Sequence, residues 1–525
     1  MDMQPEASVV RLSKPRKKGL LRLVFSRFFV VVLLLILQIL LLLAAYVWLT
    51  EKLPALVGLQ GLFSIIMVIY LFNNSMDTSA KLTWMFIIAI MPIPGAMMLA
   101  FTQTNIGHRA IKTGSERQID ATRDALPQSE SVLKALEHDG SGTDDLCRYL
   151  NRSGCFPIYD DTAGTYFPSG EEKFAAMLQA LETAEHYIYL EYFIIEEGYM
   201  WGRILDSLIR MAAEGVDVRV MSDGMCEISN LPANYAALLS AKGIRAKPFA
   251  PIRPLLSSHY NYRDHRKILV IDGRIAFNGG VNLADEYINR IERFGHWKDV
   301  AVRLSGSAAQ SFALLFLQMW NLDEPEADYA AVAAPEAHPD PNATGYVMPY
   351  GDCPLDADKV GEAVYIDILN RATDYVHIMT PYLILDGELE TALRFAAQRG
   401  VDVKLILPGI PDKKVAYALA KSHYRSLLDA GVQLFEYTPG FVHTKVFVSD
   451  EKKAVVGSIN LDYRSLYHHF ECATYLYRCD CIRGIEQDFQ QTLAKCRPVS
   501  SETLRAEKLS YKLEGSLLKF LAPLM

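Results

Sequence analysis

Two widely separated segments of the chain carry the same chemically active side chains at the same spacing. In each segment a Lys follows a His by two positions, an Asp follows that Lys by five, and an Asn follows the His by seventeen. The first segment supplies His265, Lys267, Asp272, Gly280 and Asn282, and the second supplies His443, Lys445, Asp450, Ser458 and Asn460. Two gap-free copies of one pattern predict a shared chemical function rather than two ordinary surface strands.

These residue types are those needed to cleave and re-form a phosphodiester. A neutral His can attack phosphorus, and a second, protonated His can donate a proton to the leaving oxygen. The Lys and Asn side chains can bind phosphate oxygens, and the small residues at 280 and 458 would let backbone N–H groups approach the phosphate. We expect the two Asp residues to orient or charge-balance the site. No cofactor or metal ion is required, because the Lys side chains and backbone dipoles supply positive charge.

An internal repeat surrounds the two motifs and predicts an α/β fold. A strand at 186–193, a helix at 204–213 and a strand at 214–220 in the first half match 375–382, 389–397 and 399–405 in the second. Each motif then begins one strand and ends at the turn after another. Alternating strands and helices indicate two α/β units in tandem, each with a largely parallel or mixed sheet.

Three apolar runs near the N-terminus predict two or three transmembrane helices. They span 28–49, 53–72 and 82–101, and each has about the length of a bilayer core. Seven Lys and Arg residues precede the first run and favour a cytosolic N-terminus. Three spans would place the catalytic part outside the membrane and two would place it in the cytosol, where eight unpatterned cysteines fit better. The side of the membrane therefore stays open.

The sequence divides into seven predicted regions. They are a basic cytosolic N-terminus (1–27), a membrane region (28–101), a connector (102–150), a first catalytic domain (151–322), a linker (323–345), a second catalytic domain (346–496) and an amphipathic C-terminal tail (497–525). The tail fits either an interfacial helix on the bilayer or a helix packed on the catalytic core. The net charge of −8 argues against a nucleic-acid partner.

The paired motifs resemble the phospholipase D superfamily, and the residues around them resemble its bacterial cardiolipin synthases. The resemblance rests on the stretches 263–268, 279–287, 297–299 and 456–465, and it extends over nearly the whole chain from about residue 30. One departure is the pair His468-His469 before Phe470-Glu471, where the family commonly has Asn before the Phe-Glu pair. The resemblance implies two phospholipase D-like domains packed about a pseudo-two-fold axis, so that both motifs meet in one site.

The resemblance also implies a reaction and a set of roles. A phosphatidyl group would pass between two phosphatidylglycerols at the bilayer, and glycerol would be released. His265 would be the nucleophile and His443 the acid and base. Because the two motifs are nearly symmetric, the sequence alone leaves open which His is the nucleophile. An acidic residue after each motif would orient the imidazole: Glu471 behind His443, and Asp285 or Glu286 behind His265. We expect a multi-pass protein of the bacterial cell membrane.

Other readings share part of this evidence. A phospholipase D hydrolase, or a phosphatidyltransferase with another lipid donor or acceptor, would use the same residues and differ in its products. A nuclease of the superfamily conflicts with the acidic charge and the apolar runs. A catalytically silent membrane scaffold conflicts with the intact motifs, because no His, Lys or Asn is missing from either copy.

Overall fold

The structure is a computed structural model that describes most of the chain. The described residues are 9–13, 40, 41, 44, 47, 48, 55–74, 76–103, 109–251, 262–332, 337–356, 358–505, 515, 517–520 and 522.

A seven-stranded sheet forms the first half. Its strands are β1 (Ala163–Phe167), β2 (Tyr187–Tyr192), β3 (Asp217–Asp223), β4 (Arg245–Phe249), β6 (Lys267–Ile271), β7 (Ile275–Gly279) and β9 (Ala301–Ser305). Two short strands of the same half, β5 (Arg263–Asp264) and β8 (His296–Lys298), lie outside this sheet. The order across the sheet is β1-β9-β7-β6-β2-β3-β4. The motif strand β6 is buried along its whole length, and it lies antiparallel between β2 and β7.

The second half repeats this sheet. The strands of the second half are β10 (Tyr346–Asp352), β11 (Tyr375–Met379), β12 (Asp402–Pro408), β13 (Gln433–Tyr437), β14 (Gly440–Val442), β15 (Val446–Ser449), β16 (Lys453–Gly457), β17 (His469–Tyr477) and β18 (Cys496–Pro498). Strand β14 lies outside the main sheet. The main path runs β10-β17-β16-β15-β11-β12-β13-β18. Strand for strand this is the order of the first sheet with β18 added, so the predicted mixed α/β repeat is confirmed.

Helices cover the sheets and join them. They are α1 (Ala55–Phe72), α2 (Thr78–Ile90), α3 (Pro92–Gln103), α4 (Arg109–Ala121), α5 (Glu130–Asp139), α6 (Thr143–Gly154), α7 (Gly170–Leu181), α8 (Tyr199–Ala213), α9 (Cys226–Ser229), α10 (Tyr235–Ser240), α11 (Ala309–Trp320), α12 (Val360–Arg371), α13 (Gly387–Gln398), α14 (Lys414–Asp429), α15 (Tyr463–Tyr467), α16 (Cys481–Leu493) and α17 (Ser501–Arg505). Helix α11 is buried at every position and contacts both β6 and β10. One apolar core therefore extends through both halves.

Two short parallel strand pairs connect the halves directly beside the motifs. Strand β5 of the first half pairs with β17 of the second, and β14 of the second half pairs with β8 of the first. Each pair brings the residue before a motif His onto a strand of the opposite half. The reciprocity of the two pairs is what approximate two-fold symmetry between the halves requires.

The segments outside the sheets pack onto the same molecule. The predicted connector contains α4 to α6, whose buried Leu136, Leu146 and Leu150 belong to the common core. Near the C-terminus, the Phe520 ring contacts the Phe86 ring of α2 edge to face at 5.0 Å. Ala522 packs with Leu419 and Tyr463 of the second half, so the end of the described tail contacts both the N-terminal helices and the catalytic part.

The predicted membrane helices are the main point of difference. No helix among the described residues combines the length and the apolar composition that crossing a bilayer requires. The apolar run at 82–101 is divided into α2 and α3, because Pro92 disfavours helical geometry at Met91. Residues 55–72 of the second run form α1, and the run at 28–49 lies largely outside the described residues. Within the part of the chain that the structure describes, none of the expected transmembrane helices is found.

Candidate active site

The first motif His is held by both halves of the molecule. His265 lies immediately before β6, and its backbone N–H donates to the carbonyl of Phe470 in β17 at 2.9 Å. Its side-chain Nδ1 lies 2.9 and 3.0 Å from the two carboxylate oxygens of Glu471. The imidazole is therefore oriented by a carboxylate that belongs to the other domain.

This pairing corrects the sequence-based assignment of the orienting acids. Glu471 does orient a motif His, but it binds His265 rather than His443. Asp285 instead accepts hydrogen bonds from the backbone N–H groups of Tyr199 and Met200, and Glu286 pairs with Arg293. Neither acid orients His265, because Asp285 is bound to the start of α8 and Glu286 is buried against Arg293.

The second motif His is held in the mirror-image manner. His443 N–H donates to the carbonyl of Lys298 at 2.8 Å, and its Nδ1 lies 2.7 Å from Oδ2 of Asp299. Asp299 occupies in the first half the place that Glu471 occupies in the second. Each half therefore supplies the His of one pair and the carboxylate of the other.

The small motif residues at 280 and 458 make room for these carboxylates. A Cβ atom at Gly280 would lie 2.1 Å from Oδ1 of Asp299, and the hydroxyl of Ser458 donates to Oε2 of Glu471. Their backbone N–H groups do not face an open phosphate site, because they donate to the carbonyls of Val300 and Cys472. The expectation that these N–H groups bind phosphate was wrong, and the positions act through the carboxylates instead.

Both motif Lys residues are buried beside the imidazoles. Lys267 Nζ donates to the carbonyl of His265, and Lys445 Nζ donates to the carbonyl of His443 and lies 2.9 Å from its Nδ1. Burial lowers the pKa of Lys267 to about 8 and that of Lys445 to about 7. The charge of Lys267 also lowers the pKa of His443, so cations from both motifs act on one site.

Burial also sets the protonation state of the paired groups. It lowers the pKa of His265 well below the usual range and that of His443 to about 4, despite the adjacent carboxylates. Burial opposes ionisation of Glu471, but His265 and His469 outweigh it and hold the pKa of Glu471 below its usual range. At neutral pH and without bound lipid, His265 and His443 are therefore neutral and Glu471 is ionised.

The two motif Asn residues differ in what they contact. Oδ1 of Asn282 accepts from the N–H of Ile194 at 3.1 Å, and Nδ2 donates to the hydroxyl of Tyr287 at 2.8 Å. The Tyr287 ring in turn lies edge to face against His443, with centroids 5.4 Å apart. Oδ1 of Asn460 is buried and has no hydrogen-bond partner within the described part of the chain, so Asn460 is the one with free capacity for a ligand.

The two motif Asp residues lie at the far ends of their strands. Asp272 accepts from the backbone N–H groups of residues 185–187 at 2.7 to 2.8 Å, and Asp450 accepts from those of residues 373–375 at 2.9 to 3.0 Å. Both adopt positive φ at a tight turn. They fix the start of β2 and β11, which corrects the expectation that they orient or charge-balance the site directly.

Comparison with known proteins identifies the family. A family model described as "Cardiolipin synthase, PLD-like domain" matches residues 177–320 and 365–493, each of which contains one motif. The chain belongs to the cardiolipin synthase family. It is 33% identical to cardiolipin synthase 2 of Bacillus cereus, over 87% of this chain and 89% of that protein. It is 55% identical to an uncharacterized protein of Streptococcus mutans, over 87% of this chain and 99% of that one.

A solved structure agrees with the fold. The phosphatidylserine synthase of Haemophilus influenzae matches with a TM-score of 0.54 and 16% identity, over 73% of this chain and 97% of that chain. At that identity the likeness concerns the fold alone. Together with the family match it confirms two phospholipase D-like domains, and the chain is a phosphatidyltransferase of this superfamily.

Several residues of this cardiolipin synthase family site were not identified from the sequence. Asp299 was part of the recognised stretch 297–299 but had no assigned role. Its signal is an aligned triplet, since Trp297-Lys298-Asp299 in one half corresponds to His469-Phe470-Glu471 in the other. His469, noted in the sequence only as part of a departure from the family pattern, is buried with its ring centroid 5.2 Å from that of His265. Phe193 completes this side, edge to face with His265 at 4.9 Å.

Two clusters of described residues have the spacing to hold a metal ion. One consists of His265, His469 and Glu471, all buried, and the other of Glu362, Asp386 and Glu388. Within each cluster one donor atom per residue lies within 4.8 Å of the others. The first cluster includes the motif His and its orienting carboxylate.

Proposed function

We propose that this protein is a cardiolipin synthase that transfers a phosphatidyl group from one phosphatidylglycerol to another and releases glycerol. The observation that carries the proposal is the exchange of carboxylates between the halves, His265 with Glu471 and His443 with Asp299. Two equivalent imidazoles, each held by Nδ1, leave both Nε2 atoms available for chemistry. One nucleophile and one acid–base are what a double displacement at phosphorus needs.

In the first step Nε2 of His265 attacks the phosphorus of the donor lipid. The N–P bond forms as the P–O bond to the terminal glycerol breaks, and His443 donates the proton that the leaving glycerol takes. Glu471 accepts the Nδ1–H hydrogen bond of His265 and stabilises the positive charge that the imidazole acquires. Because the pKa of His443 is low in the empty site, the anionic lipid phosphate must raise it before His443 can act as the acid.

In the second step the terminal hydroxyl of another phosphatidylglycerol attacks the phosphohistidine. His443 takes the hydroxyl proton, a new O–P bond forms, and the N–P bond to His265 breaks. One phosphodiester replaces another, so the transfer needs no nucleotide. Water would give phosphatidic acid instead, and a high local concentration of lipid hydroxyl favours transfer.

Lys267, Lys445 and Asn460 are the proposed phosphate and head-group ligands. The two ammonium groups reach the site from opposite halves and can neutralise the phosphodiester and the charge that builds up in the transition state. A bound anion would restore the proton that burial withdraws from each Lys. The unpartnered Oδ1 of Asn460 can accept a hydrogen bond from a glycerol hydroxyl, which would discriminate for a hydroxylated head group.

A lipid bilayer is the proposed partner of the N-terminal helices. The large apolar side chains of α1 and α2 are between 54% and 74% exposed at eight positions, namely Leu62, Ile65, Ile66, Ile69, Phe72, Leu82, Phe86 and Ile90. Contiguous exposed apolar surface of this kind favours contact with lipid. Attachment to a bacterial cell membrane would also supply both substrates.

Product analysis tests the proposal. Membranes from cells that overproduce the protein receive radiolabelled phosphatidylglycerol without nucleotide. We expect labelled cardiolipin and one glycerol for each cardiolipin formed. The His265→Ala variant at equal expression is the control and should form no product above the vector background. Phosphatidic acid as the main product would reassign the acceptor to water, and turnover that requires a second lipid would reassign the acceptor to that lipid.

A further inference from the structure

Three buried donor groups converge beside the motif His of the first half. Oε1 of Glu471 lies 2.9 Å from Nδ1 of His265 and 3.5 Å from Nδ1 of His469. The three residues each offer one donor atom within 4.8 Å of the others. Zinc bonds to nitrogen and oxygen at about 2.0–2.1 Å, which separates tetrahedral ligands by about 3.4 Å. The distances of 2.9 and 3.5 Å from Oε1 of Glu471 to the two imidazole nitrogens lie within about 0.5 Å of that separation.

His469 is the donor that the transfer mechanism leaves unused. Its Nδ1 is buried and has no hydrogen-bond partner within the described part of the chain. The corresponding residue near His443 is Trp297, whose ring centroid lies 5.4 Å from that imidazole, much as His469 lies 5.2 Å from His265. An indole has no lone pair for a metal. The two-imidazole, one-carboxylate set is therefore built on the His265 side and not around His443.

We propose that His265, His469 and Glu471 form a binding site for Zn²⁺ or a similar borderline divalent cation, and that its occupancy inhibits phosphatidyl transfer. The donor set is one that zinc uses in proteins, with the fourth position left open. The inhibitory part rests on the proposed role of His265 as nucleophile, whereas cation binding rests on the geometry alone.

Inhibition follows from the tautomers of imidazole. In the transfer mechanism Nδ1 of His265 carries the proton that is donated to Glu471, and Nε2 carries the attacking lone pair. A cation bound at Nδ1 takes the lone pair there, so the single ring proton moves to Nε2. Nε2 then has no lone pair with which to attack phosphorus. The proton is only relocated, and no redox partner is needed.

The surroundings of the site suit a reversible cation rather than a permanent one. The ammonium of Lys267 lies beside the proposed ligands, since its Nζ donates to the carbonyl of His265. This positive charge would repel a bound cation, so we expect binding weaker than that of a structural zinc site, and reversal by a chelator.

The test uses the purified full-length protein, Zn²⁺ or Co²⁺ salts alone, and two neighbouring His variants. His469→Asn removes a proposed ligand, and His468→Asn is the matched control, since His468 is the adjacent residue and also has a buried, unpartnered Nδ1. We expect Zn²⁺ to inhibit the wild type and His468→Asn alike, with recovery after chelation. Relative to its own rate without metal, His469→Asn should need at least about tenfold more Zn²⁺ for the same fractional inhibition.

Visible absorption of bound Co²⁺ gives a readout that does not depend on turnover. Wild type and His468→Asn should show the intense bands of a four-coordinate site at one Co²⁺ per chain, and His469→Asn should not. Equal inhibition of wild type and His469→Asn, or no Co²⁺ bands in the wild type, would overturn the proposal. Co²⁺ bands without phosphatidylglycerol turnover would count against the proposed function and leave the cation site intact. If His469→Asn is unfolded by thermal melting, His469→Gln takes its place.

Discussion

Glu471 in the second half binds Nδ1 of His265 in the first half, at 2.9 and 3.0 Å. In the reverse direction, Oδ2 of Asp299 in the first half lies 2.7 Å from Nδ1 of His443 in the second half. Neither phospholipase D-like domain therefore contains a complete His–carboxylate pair. Both His–carboxylate pairs therefore form only when the two halves pack together.

Neutralising either carboxylate should impair transfer without unfolding the protein. An amide in place of the carboxylate cannot hold the imidazole in the reactive tautomer or stabilise its positive form. We expect Glu471→Gln and Asp299→Asn each to lower the transfer rate by about 10²–10⁴-fold, as for carboxylates that orient catalytic His residues elsewhere. The measurement is kcat for cardiolipin formation at matched protein amounts.

Asp285→Asn and Glu286→Gln are the controls for this prediction, because these acids follow the first motif in sequence but contact neither imidazole. Both should retain transfer within about threefold, the range expected away from the reacting groups. A large loss in Glu286→Gln with full activity in Asp299→Asn would contradict the exchange of carboxylates.

The Gly280→Ala substitution should displace Asp299. The new Cβ would lie 2.1 Å from Oδ1 of that carboxylate, so Asp299 must move and His443 loses its fixed orientation. Misplacement of a catalytic group by about 1 Å can cost about 10²-fold in rate, and we expect a loss of that size. Gly387→Ala at the start of α13 is the matched control, since its Cβ would meet nothing within 4 Å. Equal activity of the two variants would show that Asp299 tolerates displacement.

Asp272→Asn should reduce stability more than catalysis. Asp272 accepts three backbone hydrogen bonds at the start of β2, and an amide would turn an N–H toward at least one of these donors. We expect a loss of roughly 1.5–3 kcal/mol in the free energy of unfolding, seen as a lower thermal midpoint, with kcat of the folded enzyme within about threefold of the wild type. A collapse of kcat at an unchanged midpoint would restore Asp272 to the catalytic residues.

The sequence predicted the repeat and both motifs because their information is local. Two matching strand-helix-strand units and an eighteen-residue pattern can be read from consecutive residues, and the sheets confirm them in order. The exchange of carboxylates is not local. Asp299 follows Asn282 by seventeen residues, whereas Glu471 follows Asn460 by eleven, so the intervening turns hide their equivalence. Which acid meets which imidazole depends on the packing of the two halves.

The N-terminal helices show a different limit of sequence reasoning. Average hydropathy predicted a continuous helix over 82–101, but the backbone restriction that Pro92 places on Met91 divides it into α2 and α3. Apolar composition measures the affinity of a segment for lipid and not the continuity of its backbone. The break in the helix before Pro92 therefore does not follow from hydropathy.

The alkaline limb of activity should depend on Lys445. Burial lowers its pKa to about 7, so the empty enzyme carries the charge below that pH and loses it above. We expect kcat/KM to fall as pH rises through about 7 to 8, because neutral Lys445 binds the lipid phosphate less well. Lys445→Arg keeps its charge at all these pH values, so its residual kcat/KM should stay level through pH 7 and fall only near pH 8, where Lys267, with a pKa of about 8, loses its charge. A parallel decline in both proteins would assign the limb to another group.

Direct detection of the covalent intermediate tests the central claim, which is a phosphatidyl group carried on His265. Enzyme mixed with phosphatidylglycerol that is labelled in its phosphate is quenched in alkali, digested and analysed by mass spectrometry. We predict label on the peptide that contains His265 and its absence in His265→Ala. Label on His443 with none on His265 would reverse the assigned roles, and cardiolipin formation at full rate by His265→Ala would contradict the mechanism.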